Sequence, residues 1–342
     1  MEGNFEEYLR PNRSWEDQLN KAKEFVYKKL GPGINISVFK DGEWVRRSYG
    51  YKDEPEVQTN PEILYDIASI TKLVTALQIL ELEQQGTLNL EDRAGEYLDF
   101  LKSSPLQIKD LLAHRGAQVL TREKYVPGTP YLRSDLERIF ENPDNLTLDR
   151  PTDYNYGDLG YLHLGLLLET VEGENLAAKT RRFVEKYELG TLLYNPVAAG
   201  VEMTDIARSE TNNLPGEVQD EKAKWYGGVS GHAGLFATQH ALETLVERLF
   251  NRQFDLRPAR YAKLYTPEFE PSPVTGMSFS LAGIRRGLYS EYPNISGFGG
   301  STIFFDPGET QALVHTCNIT YPHRPASREE FRKWNRKIGR RA

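Results

Sequence analysis

Residues 66–80 read DIASITKLVTALQIL: a serine and a lysine three places apart, at the head of a run whose apolar residues recur at helical spacing. The same S-x-x-K spacing occurs at Ser37 and Lys40, but there apolar and polar residues alternate as in a strand. Strand positions three apart point to opposite faces, so that pair cannot cooperate. Ser69 and Lys72 open a helix, where residues three apart stack on one face, and only they are placed to exchange a proton. A serine hydroxyl is a poor nucleophile unless a neighbouring base takes its proton. Lysine serves as that base when burial or nearby positive charge lowers its pKa, and Ile70, Leu73 and Val74 supply an apolar surround. A helix N-terminus also favours negative charge developing at the serine. Taken alone, the stretch has a second reading, in which Ser69 caps the helix and Lys72 is solvated.

Working outward, INISVFKDGEWVRRSYG (34–50) alternates on both sides of Asp41-Gly42, a strong hairpin signal. Before it, Ser14 starts a helix with Asp17 at the capping-box distance. Trp15, Leu19, Phe25, Val26 and Leu30 form its stripe, and Gly31 stops it. After residue 66 helical patterns dominate, several ending at a glycine: Gly86, Gly116 and Gly173. Strand character returns in SFSLAGIRRG (278–287), SGFGGSTIFFDPG (296–308) and TQALVHTCNIT (310–320), with Asp306-Pro307-Gly308 as a turn. A last helix carries Phe331, Trp334 and Ile338 on one face of a basic tail, which reads as a solvated helix docked by three apolar residues. The economical architecture is α+β: one five-stranded antiparallel sheet flanked by terminal helices, with a mainly helical subdomain inserted. Residues 1–65 and 271–342 form the sheet part and 66–270 the insert, together one catalytic unit.

Composition narrows the function. A chain of 342 residues, 39% hydrophobic and 27% charged, suits a globular protein with a substantial core. Its net charge of -7 gives no electrostatic reason to expect nucleic acid or an anionic membrane as partner. The single cysteine, Cys317, excludes an internal disulfide and a cysteine-rich zinc site, and is expected as a small buried residue in a strand. No H-E-x-x-H or zinc-ligand histidine pair occurs, so neither metal nor cofactor is expected. The G-x-S-x-G elbow is also absent, because Ser230 follows Gly228 but His232 stands where the second glycine belongs. MEGNFEEYLRPNRSW lacks a basic and an apolar leader segment, and no apolar run has membrane-spanning length. The expectation is a cytoplasmic protein, although a secreted chain trimmed of its signal reads the same way.

DIASITKLVTALQILELEQQGTLNLEDRAGEYL (66–98) resembles the serine β-lactamase-related family: class C β-lactamases, low-molecular-weight penicillin-binding proteins, and their esterase and D-aminopeptidase relatives. Further stretches match in order. IKDLLAHRGA (108–117) is similar to the family's His-Thr-Ser-Gly segment, and YNYGDLGYLHLGLLLE (154–169) to the segment bearing its Tyr-x-Asn/Asp motif. VQDEKAKWYGGVSGHAGLFAT (218–238) is similar to a class C-like segment, and residues 296–322 to the last sheet strands. The ordered set, over roughly residues 30–322, is far more specific than any one motif.

The resemblance implies a β-lactamase/transpeptidase-like fold and a serine hydrolase that forms an acyl-serine intermediate, with acyl transfer open to the same intermediate. It makes Ser69 the nucleophile, Lys72 its proton acceptor, and Tyr156 the phenol that takes or relays the proton and returns one to the leaving group. Tyr154 competes for that register, but Tyr156 places Asp158 and the following glycine-rich helix where the family has them. Asp158, in the usual asparagine place, would orient Lys72 or bind a substrate amide, yet as a carboxylate it also favours charged Lys72. The third motif becomes Ile295-Ser296-Gly297, with isoleucine where a cation is expected. Ser296 and Gly297 then border the substrate, and the N–H groups of Phe298 and Ser69 form an oxyanion hole. Losing the cation argues against substrates with an obligatory carboxylate and less against a small neutral ester or amide, including a peptide or D-amino-acid derivative. His232 reads as part of a glycine-rich structural turn, and His114, His163 and His315 as core or surface histidines. Ile295 also supports an alternative, a catalytically weakened relative that binds a ligand or partner without turnover. The loop 117–131 is expected to set specificity, and the oligomeric state is open.

Overall fold

The computed structural model describes residues 15–115, 118–120, 146–148, 156–271, 277–287, 290–306, 308 and 310–339. Ser14, Gly116, Tyr154, Pro307 and most of the 117–131 loop lie outside them.

Asp41 and Gly42 both take positive φ, 53° and 84°. That is the backbone of a two-residue hairpin turn, and β1 (Gly33–Lys40) and β2 (Glu43–Gly50) pair antiparallel about it. β1 also pairs with the last strand, β12 (Gln311–Asn318), from Ile34 opposite Cys317 to Lys40 opposite Gln311. β11 (Gly300–Phe305), as expected, and β10 (Ser290–Ser296), which lies outside the expected strands save for Ser296, continue the antiparallel sheet. Two short strands, β9 (Arg285–Gly287) and β8 (Ser278–Phe279), lengthen the edge beside β10. SFSLAGIRRG is therefore two strands rather than one. The Ser280 hydroxyl accepts the N–H groups of Ala282 and Ile284, closing a turn between them. β10 begins before the stretch read as a strand, because Glu291 and Pro293 interrupt the alternation that marks one.

Alternation along β1 sends Ile34, Ile36 and Val38 to the face covered by α1 (Trp15–Tyr27) and α9 (Glu329–Ile338). Phe331, Trp334 and Ile338 are buried there as expected, with Phe25 edge-on to Trp334 at 5.1 Å. Cys317 is buried in the same layer. The opposite face meets a larger core built from α2 (Thr71–Gln84), α3 (Ile108–Leu112), α4 (Leu159–Glu172), α5 (Leu176–Lys186), α7 (Gln239–Phe250) and α8 (Pro258–Lys263). Short α6 (Glu221–Trp225) borders this layer. Ser37 faces this side and accepts from Gln239 at 2.7 Å, so it does not meet Lys40. Helix α2 is buried on every side from Thr71 to Glu83. Its buried Glu83 is met by Arg260 at 2.6 Å, and its Glu81 by Lys186 and Tyr187.

A three-stranded sheet places the start of α2. Within it β3 (Tyr65–Asp66) and β6 (Leu192–Tyr194) both pair with β7 (Leu235–Ala237). A separate pair joins β4 (Gln118–Leu120) to β5 (Leu146–Leu148). Among the described residues no helix is long and apolar enough to cross a membrane.

Candidate active site

Strand β3 ends at Asp66, whose carboxylate accepts the N–H of Ala68 and that of Gln219, each at 2.8 Å. Ala68 takes φ +45°, a conformation its Cβ disfavours. The chain then makes a single 3₁₀ turn, Ala68–Ile70, and runs directly into α2. Ser69 caps nothing, since α2 begins without a side-chain cap. Lys72 is 1% exposed and is not solvated. Its ammonium has three protons to donate, and it meets Ser69 Oγ at 3.0 Å, Asp158 Oδ1 at 3.1 Å and the His232 carbonyl at 3.1 Å.

The charge on this lysine departs from the sequence expectation. Burial acts to strip its proton, but the charges of Tyr156 and Asp158 outweigh burial and hold its pKa above the ordinary lysine value. The carboxylate at the usual asparagine place is one physical reason. Burial likewise acts to raise Asp158, but Lys72, His232 and Lys222 hold it well below the usual carboxylate range. Asp158 is bonded on both oxygens, Oδ2 accepting from Lys222 at 3.1 Å. It thus contacts Lys72 and Lys222 at once, and each oxygen keeps a further acceptor site. His232 is fully buried, its ring held between Ser230 Oγ at 2.7 Å and Asp220 Oδ1 at 2.8 Å. Its side chain is structural, while its carbonyl is a ligand of Lys72. Asp158, Asp220 and His232 bring ligand atoms within 4.8 Å of one another, but Lys72 and Lys222 already neutralise Asp158 there. Lys222 and Asp220 were not foreseen; their only trace in the sequence is the DEK triplet 220–222.

Tyr156 stands at the rim, 45% exposed, its ring centroid 5.4 Å from Lys72 Nζ. The ring packs on His114 at 4.6 Å and stacks on Phe279 at 5.7 Å. His114 is thus a buried wall of the site. Burial, reinforced by the charge of Lys72, pulls its pKa down to about 3 and keeps it neutral at physiological pH. His163 and His315 are buried away from the reacting groups.

Across from Ser69, Ile295 is 5% exposed and pairs with Ile303, facing the helical core. Ser296 lies on the other face of β10 and accepts from the Thr302 hydroxyl at 3.1 Å. Thr302 accepts from Asn335 of α9, and the Asn335 side-chain oxygen lies 2.9 Å from His315 Nε2. Gly297 also meets a requirement of the fold. A Cβ there would lie 2.5 Å from the Ile67 carbonyl, so the missing side chain lets the β10–β11 turn close on the Ser69 turn. Phe298 sits at the tip of that turn, 43% exposed, its ring 4.5 Å from the Arg328 guanidinium and 5.5 Å from that of Arg324. A groove of about 460 Å³ runs from Ser69, Tyr156 and Asp158 past Ser296, Gly297 and Phe298. It ends against Arg328, Arg332 and Arg336, so the polar face of the terminal helix is a wall of this groove and not merely solvated.

The chain matches the family model described as Beta-lactamase over residues 19–335. It is 26% identical over 356 residues to the N-acetylmuramyl-L-alanine amidase of Bacillus subtilis (strain 168), covering 88% of this chain and 81% of that protein. Among solved structures, the D-amino acid amidase from Ochrobactrum anthropi SV3 superposes with a TM-score of 0.73 at 16% identity, covering 94% of this chain and 97% of that one. A class C beta lactamase from Rhodobacter sphaeroides superposes at 0.67 and 16% identity, covering 93% and 98%. At such identities the superpositions speak for the fold, β-lactamase/transpeptidase-like. The sequence match decides the rest: this chain belongs to the beta-lactamase family and is a serine hydrolase whose chemistry runs through an acyl-serine intermediate.

Proposed function

We propose that Ser69 is the acylated nucleophile, with Lys72, Tyr156 and Asp158 as its machinery, and that the substrate is a small amide or ester of the peptide or D-amino-acid type. The observation that carries this reading is the contact of buried Lys72 Nζ with Ser69 Oγ at 3.0 Å. Because Lys72 is held charged, it acts as the positive neighbour of a Tyr156 phenolate rather than as the resting base. Tyr156 takes the hydroxyl proton as Ser69 Oγ bonds to the carbonyl carbon. The carbonyl oxygen becomes an oxyanion facing the N–H groups of Ser69 and Phe298. Collapse breaks the bond to the leaving nitrogen or oxygen, which takes the proton from Tyr156, and water then hydrolyses acyl-Ser69 by the same route in reverse. The amidase activities named for the relatives favour an amide as the bond opened.

Intact-protein mass after exposure to a fluorophosphonate tests the assignment. One adduct is expected on the wild type and none on Ser69→Ala, with labelling of Lys72→Ala slowed at least a hundredfold. A folded wild-type protein that takes no adduct and turns over no amide or ester would overturn it.

A further inference from the structure

Arg328, Arg332 and Arg336 recur every fourth residue from the N-cap of α9 along the helix. They share one helix face and stand about 6 Å apart along the axis. All three line the groove that opens at Ser69, and Arg285 joins them from β9. The carboxylates in this lining, Asp158 and Asp220, stand at the Ser69 end and are already matched by Lys72, Lys222 and His232. Among the described residues no carboxylate pairs with Arg328 or Arg332, and the buried Nε of Arg328 donates no hydrogen bond. Burial and the neighbouring charge of Arg332 act together to lower the Arg328 pKa. In a protein of net charge -7 this wall reverses the overall sign.

We propose that the row of arginines binds an acidic peptide segment of the substrate, extended along α9 from the bond that Ser69 opens, with carboxylates on alternate residues. An extended chain repeats its same-face side chains every two residues, about 6.6–6.8 Å, close to the step between these arginines. Arg328 packs on the ring of Phe298, whose N–H faces the oxyanion, so the first carboxylate is met beside the reacting bond. Helix α9 thereby supplies the positive charge that Ile295 denies to β10. The sequence-based argument against carboxylate substrates then no longer holds. This inference rests on the Ser69 reading for the bond cleaved, but the anion site can be measured without turnover.

Two matched peptide p-nitroanilides test it, one with glutamate at alternate positions and one with glutamine in the same places. The wild type is expected to prefer the glutamate substrate at least tenfold in kcat/KM at low salt, less so at high salt. In Arg332→Glu/Arg336→Glu the ratio of glutamate to glutamine turnover should fall below one. Binding is read separately, by fluorescence anisotropy of the same peptides on Ser69→Ala protein with its arginines intact. Equal binding of the two peptides overturns the proposal, as does tighter binding of an oligomeric phosphodiester than of the glutamate peptide. Selective binding of the glutamate peptide, with no turnover and no fluorophosphonate adduct on the wild type, upholds the anion site and overturns the Ser69 mechanism instead.

Discussion

Asp66 holds the residue that shapes the nucleophile's turn, and it does so as a buried carboxylate bonded to two backbone N–H groups and, among the described residues, to no cation. Burial pushes its pKa up to about 6 from an ordinary 3.8. Between those values the folded chain binds more protons than the unfolded one, so this group makes stability fall as pH rises. Asp66→Asn lacks that titration. Urea unfolding should show wild-type stability dropping relative to the variant between about pH 4 and 6, by on the order of 2–3 kcal/mol. A difference that stays flat over this range would contradict the account. Asp158 behaves oppositely, and its partner Lys72 in the same sense as Asp66. The Asp158 contribution is present above the ordinary carboxylate range and fades only as pH falls through its depressed pKa. That of Lys72 is present below the ordinary lysine range and fades as pH rises through its raised pKa. Asp158→Asn removes one support for the lysine's charge, so the alkaline limb of the fluorophosphonate labelling profile should move to lower pH.

Among the elements, the β10–β11 turn is the most exacting. Gly297→Ala would place a methyl 2.5 Å from a backbone carbonyl that cannot give way without moving the Ser69 turn. Labelling of Ser69 should slow at least tenfold while the thermal midpoint moves by only a few degrees, a separation that calorimetry and mass spectrometry measure together. Much of this scale was legible from residue pattern. Asp41-Gly42 announced its turn through φ > 0 chemistry, and the period of ITKLVTALQIL announced α2. What escaped was tertiary. Periodicity in α9 identifies Phe331, Trp334 and Ile338 as the docked face, but it does not say what the opposite, basic face overlooks. Nor does spacing reveal that Lys222, on another helix, reaches the second oxygen of Asp158.

At the scale of the molecule, the groove has walls from the C-terminal segment of the sheet layer and from the helical part, so its shape depends on how α9 is docked. Trp334 is buried against Phe25 and Phe331. Trp334→Ala should cost about 3–5 kcal/mol in chemical denaturation, and the loss should be accompanied by weaker binding of the glutamate peptide. Of the sheet, the two early strands and β11 and β12 were readable from residue pattern, whereas β10, its alternation broken by Glu291 and Pro293, was not, and the stretch read as one strand is split into β8 and β9. The sheet's closure has a temporal consequence. Ile34 of the first strand is registered against Cys317 of the last. At roughly 5–20 residues per second of synthesis, about 15 s to a minute separates their emergence from the ribosome. Throughout that interval the β1–β2 hairpin presents an unpaired edge, the kind of surface that invites a chaperone or a neighbouring nascent chain. The arginine wall is made later still, so a nascent chain that already holds Ser69 and Lys72 has no completed groove in which to bind an acidic substrate.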